Sequence, residues 1–156
     1  HLNTMENLFN DLQKHLAEKF GERVSLIDED YGQLEALQNG EDQYPVTFPC
    51  ILISTPQTEW RDIKPRLQQG TLSITVRLAF DCYDDTHYGS TQENKASERM
   101  AMAKEMNGYI HGWIFEGCHS AMRRTSTLQA AYPHGVKVYS HVYTAKTEES
   151  MPGSVE

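Results

Sequence analysis

Long apolar runs are missing from these 156 residues. No stretch approaches the roughly 18 apolar residues that a membrane-spanning helix needs, so no span is expected. No charged segment followed by an apolar run opens the chain, so no signal peptide is expected. Met5 stands as a candidate native start, with residues 1–4 as an added leader. Basic residues are scarce: 14 Lys and Arg against 22 Asp and Glu leave a net charge of −8. Proteins that grip phosphate backbones cluster Lys and Arg. The longest basic cluster here is Arg123-Arg124, too small for such a footprint. An acidic wall still suits a surface past which DNA slides without sticking. Cysteine is rare too. Cys50, Cys82 and Cys118 are odd in number and far apart, which reads as reduced thiols rather than a disulfide framework. Cys50 and Cys82 fall on apolar phases of expected strands, where a free cysteine packs as a small hydrophobe.

Catalytic signatures are absent as well. There is no Cys-x-x-Cys, no His-Glu-x-x-His, no Gly-x-Ser-x-Gly and no glycine-rich phosphate loop. His111 and His119 are eight residues apart, too far for a helical ligand pair. The acidic run from Asp28 to Gln43 lacks the calcium-loop pattern of a glycine at the sixth position and a distal glutamate. The densest ligand-type set is Asp81, Asp84, Asp85 and His87, where a strand leaves the sheet. It keeps a metal-dependent enzyme open as an alternative. The main reading is a non-enzyme with no catalytic, cofactor-binding or metal residue.

What is present is architecture. Leu72, Ile74, Val76, Leu78, Phe80 and Cys82 alternate with Ser73, Thr75, Arg77, Ala79, Asp81 and Tyr83. Strand side chains point to opposite faces with a period of two, so residues 71–83 form a long strand. Residues 4–20 form an amphipathic helix: Met5, Leu8, Phe9, Leu12, Leu16 and Phe20 make one stripe, with Gly21 at its stop. Asn3 and Glu6 resemble a capping box. Residues 23–27 are a short strand and 28–43 a polar surface loop, with a weak helical stretch around Leu34 and Leu37. Residues 45–55 are a strand with a proline-rich entry, and 56–72 an extended hairpin arm. A second helix spans 95–115, with Gly117 ending it. Strands at 125–132 and 136–145 close the chain, and residues 147–156 read as a flexible tail.

A chain of this length with 38% apolar and 23% charged residues forms one soluble domain, 1–156. The expected class is α+β: a mostly antiparallel sheet of four to five strands, two helices on one face, in the order α-β-β-β-α-β-β. The other sheet face then needs a cover. In the last strand Val136, Val138 and Val142 read as core, and Tyr139 and Tyr143 as outward. Aromatic and arginine side chains are enriched at protein contacts. The candidate interface is therefore Trp60, Arg61, Arg66, Arg77, Tyr83, Tyr139 and Tyr143. A small protein-binding adaptor working through the arm is a further alternative.

The layout resembles a known family. It comprises the Met5–Phe20 helix, the proline-entered strand Tyr44–Thr55, the arm Trp60–Gly70, the strand Gln69–Arg77, the helix Lys95–Phe115 and the closing strands. Over residues 5–145 this order is similar to bacteriophage tail terminator and minor tail proteins, the lambda-type tail-completion and prophage neck proteins. The resemblance implies a structural virion component, assembled in the bacterial host cytoplasm. Such a protein caps the tail tube as a ring, commonly a hexamer, and joins it to the head connector. Its implied partners are itself, the tail tube protein and connector proteins, with DNA passing through unbound and no membrane involved. No cofactor and no active-site residue is implied.

Overall fold

The computed structural model describes residues 4–38, 46–82, 94–133 and 135–152. The first stripe forms helix α1 (Thr4–Phe20). Leu8, Leu12, Leu16 and Phe20 recur every fourth residue, share one face and are all buried. Gly21 takes a positive φ of 57° and turns the chain out through a single 3₁₀ turn. Strand β1 (Leu26–Glu29), helix α2 (Gln33–Gln38) and strand β2 (Cys50–Ile53) follow. Strands β3 (Gln57–Lys64) and β4 (Leu67–Asp81) form the hairpin arm and the long central strand. Helix α3 (Asn94–Ile110) and strands β5 (Arg123–Tyr132) and β6 (Val136–Ser150) complete the chain.

The fold is α+β, and its six-stranded sheet runs β1-β2-β4-β6-β5. Every pairing is antiparallel except β1 with β2, which is parallel. Along β4, β6 occupies one edge from Leu67 to Asp81. The other edge is divided: β2 takes Val76–Ala79 and β3 takes Leu67–Ser73. The β3 end therefore projects as a three-stranded arm made of β3, β4 and the last residues of β6.

As expected, α1 and α3 cover one sheet face. The main core joins Leu8, Leu12 and Leu16 to Ile51, Ile53, Ile74, Leu78, Met106 and Ile110. A second cluster lies on the opposite face, because Cys50 and Leu52 alternate with Ile51 and Ile53. There Leu34 of α2 meets Cys50, Leu52, Ala79, Val136 and Val138. This cover was not anticipated. The polar stretch expected at 28–43 contains a real helix, and its few apolar residues carry the packing: Leu34 and Ala36 are both buried.

Three further expectations change. Helix α3 stops at Ile110, short of the expected residue 115, because Gly112 adopts φ 85° and the loop folds back through Gly112 N–H to Met122 O at 2.7 Å. Trp113 and Ile114, inside the expected helix span, stand about half exposed or more. The two phases of β6 are also reversed. Tyr139 and Tyr143 lie under the helices, while Val136 and Val138 face α2. Both sheet faces are covered, so both phases are apolar and alternation alone does not say which meets the larger core. Finally, β6 runs on to Ser150 through the expected flexible tail. Its end pairs with β4 on one side. On the other it is tied by His119 N–H to Lys146 O at 2.7 Å and by the Thr147 hydroxyl to Gly117 O at 2.6 Å. Residues 153–156 lie outside the described residues.

Candidate assembly surfaces

The seven residues marked out as interface candidates separate into three groups. Tyr139 and Tyr143 are internal, at 4% and 0% exposure. Tyr139 meets Phe80 edge-on, ring centroids 5.9 Å apart. The Tyr143 hydroxyl donates to Asn107 Oδ1 of α3 at 2.9 Å, which satisfies the one polar atom of a buried ring. Their surface role is corrected: these rings hold the helix layer to the sheet. His141, between them, is buried as well. Its Nε2 faces Ala103 O at 2.9 Å and so must carry the proton, leaving Nδ1 to accept from the Thr127 hydroxyl at 2.9 Å. Burial holds this imidazole below its ordinary range.

Arg77 is also turned inward, onto the α2 face. Its guanidinium donates to Asp30 Oδ2 at 2.9 Å and Glu35 Oε2 at 3.1 Å, and the Tyr132 hydroxyl donates to the same Glu35 oxygen at 3.2 Å. The Arg77 and Asp30 side chains are only 13% and 12% exposed. Burial pushes the Glu35 carboxyl up, but the bond and charge of Arg77 outweigh it and hold the group below the usual carboxylate range. An arginine placed by alternation on the polar phase of β4 thus fastens α2 and β5 to the sheet.

Trp60, Arg61 and Arg66 do lie together, on the arm. Trp60 stands opposite Gly70 in the β3–β4 register. A Cβ at Gly70 would come within 2.6 Å of Thr58 Cγ2 and 2.8 Å of the Trp60 ring. The missing side chain is therefore the seat of the indole. Arg61 donates to Gln69 Oε1 at 3.0 and 2.5 Å. Arg66, in the β3–β4 turn, donates to Pro152 O, and its own carbonyl accepts from Met151 N–H at 2.9 Å. Beside these residues the arm forms a concavity of about 600 Å³ lined by hydroxyls, amides, Glu59, Arg61 and Trp60. It offers a surface for polar contact. Tyr83 lies outside the described residues, as do Asp84, Asp85 and His87 of the ligand-type set. Asp81 is exposed at the end of β4.

Sequence reasoning missed the margin formed by β5. Eight of its ten residues are exposed, so neither face is committed to the core. Leu128, at its centre, is 67% exposed. The available signal was the low-charge run Thr125–Tyr132 in a strand that ends at a turn.

Among the described residues no group of three or more His, Cys, Asp or Glu side chains is placed to hold a metal ion. Burial pushes the Cys50 thiol up to about 12 and the Cys118 thiol up to about 11, and raises Cys82 too. All three are protonated thiols near neutrality rather than activated nucleophiles. No described helix is long and apolar enough to cross a membrane.

The sequence matches no family model and no curated protein. The fold has a counterpart among solved structures. A chain from the virion of a native gene transfer agent particle superposes with a TM-score of 0.62 over 96% of this chain and 100% of that one. The two are 8% identical, so the likeness is one of fold.

Proposed function

We propose that this protein is a structural component of a phage-like virion. In this reading it assembles with copies of itself into a ring at the end of the tail tube, between the tube and the head connector. The observation that carries the reading is the whole-chain likeness of fold to a chain of a virion particle. The order of elements, similar to tail terminator proteins, agrees with it. The arm carrying Trp60, Arg61 and Arg66 supplies a projecting, polar, aromatic surface suited to contact with a neighbour. The net charge of −8 suits a channel that lets DNA pass without holding it.

Light scattering over a concentration series, followed by electron microscopy of the largest species, tests the reading. Closed rings of one size, and sedimentation of the protein with purified tail tubes, are the expected results. A strict monomer at high concentration that also fails to sediment with tubes overturns it.

A further inference from the structure

We infer, on the self-assembly reading above, that the outer edge of β5 is completed by β3 of a second copy, so that neighbouring copies share one continuous antiparallel sheet. An unpaired edge exposes a row of backbone donors and acceptors, and proteins blunt such edges with short strands, charges, prolines or covering groups. The β1 margin is blunted in this way. It has four residues, Gln13 Nε2 donates to Ile27 O at 2.9 Å, Asp28 Oδ1 accepts from Glu29 N–H at 2.8 Å, and Gln33 Nε2 donates to Glu29 O at 2.8 Å. The β5 margin is covered only at its start, where Arg124 N–H donates to His111 Nδ1 at 3.0 Å. It runs ten residues, and from Thr125 to Tyr132 it carries neither charge nor proline. Among the described residues β6 is its sole strand partner. On the far side of the sheet β3 has eight residues, and β4 is its sole described strand partner.

Strand direction makes these two edges complementary. β3 is antiparallel to β4, β4 to β6 and β6 to β5, so β3 runs antiparallel to β5 across the sheet. A second copy set alongside in the same orientation brings its β3 against β5 antiparallel. The alternation β3-β4-β6-β5 then continues unbroken into the next copy. Such a repeat is head-to-tail, and it closes into a ring when the rotation per step divides a full turn with no net rise along the axis.

The facing of side chains restricts the register. Residues directly opposite across strands share a face. Trp60 lies opposite Gly70, two residues along β4 from buried Leu72, and Thr127 lies opposite His141, so both belong to the helix-covered face. Placing Thr127 against the neighbour's Trp60 keeps the two faces matched and sets Leu128 beside its Glu59.

Cysteine cross-linking tests the joint. Two chains are made with Cys82→Ser and Cys118→Ser, one adding Glu59→Cys and the other Leu128→Cys, both at exposed positions. They are mixed, assembled and mildly oxidised. A covalent dimer in the mixture, absent from either chain alone, is the expected result. The single chain carrying both new cysteines should give a ladder that ends at the ring size. In the unmodified protein, hydrogen exchange in β3 and β5 should slow by at least about tenfold on assembly. A dimer from the Leu128→Cys chain alone would show β5 pairing with itself across a two-fold axis and overturn the inference. Rings that form with neither the mixed cross-link nor the slowed exchange also overturn it, while leaving the assembly reading intact. Absence of any oligomer, free or on tubes, removes both.

Discussion

From Ile74 to Phe80, β4 is sealed between two layers: Ile74, Val76, Leu78 and Phe80 under α1 and α3, with Ala79 under α2. From Leu67 to Ser73 the same strand is held only by β3 and the end of β6, and just Gly70 and Leu72 are buried. One strand thus serves as the axis of the body and as the spine of an arm. In the body, burial of apolar area supplies stability. In the arm the backbone ladder supplies the order, and most side chains stand at the surface. Changes in the body should therefore be read in unfolding, and changes in the arm and along the β5 margin in assembly.

The largest effect is expected where the body holds charge. Arg77→Ala leaves Asp30 and Glu35 without their shared cation, and losing one partner of a buried pair costs about 3–5 kcal/mol. Denaturant unfolding measures it; a loss below about 1 kcal/mol would show that water already satisfies these carboxylates. Next comes the boundary between body and arm. Gly70→Val drives a side chain into Thr58 and the Trp60 ring, an overpacking that costs about 1–3 kcal/mol. In a Trp113→Phe background, Trp60 fluorescence should shift to the red as the ring leaves its seat. An unshifted spectrum would break the link between that glycine and the indole.

A pH series sharpens the body side further. His141 is lowered in the folded chain, so its contribution to stability is complete above about pH 6.5, the unfolded value. That contribution is lost as pH falls from there through the lowered folded value, because the unfolded chain takes up the proton first. An NMR titration should find the His141 imidazole changing below the range of an exposed histidine. A value at or above that range would contradict its burial against Ala103 and Thr127. The smallest stability effect belongs to the margin. Leu128→Lys should leave unfolding within about 0.5 kcal/mol of the parent and yet abolish sedimentation as an oligomer. Loss of more than about 2 kcal/mol would make Leu128 a body residue after all.

Much of the body was legible in the residues. The four-residue spacing of Leu8, Leu12, Leu16 and Phe20 marks α1 to its last residue, and alternation marks the central strand. The arm was legible from its turn residues and from Trp60. The α2 cover was obscured because two leucines and an alanine in a polar stretch carry too little pattern to declare a helix. The two tyrosines of β6 were placed on the wrong face for a different reason. Tyrosine has an apolar body and a polar tip, so it fits a wet face as well as a core that offers an acceptor such as Asn107. Arg77 looked like surface for the same lack of context: nothing local reveals that Asp30 and Glu35 stand behind it.

The order of elements, the period of each and the choice of an α+β sheet were written into local spacing, because helix and strand repeats are properties of neighbouring residues. Which phase of β6 faces the helices, what neutralises Arg77, and the bareness of β5 beside the guarded β1 belong to tertiary structure alone. Each depends on residues dozens of positions apart meeting across the sheet, and no local period encodes such a meeting.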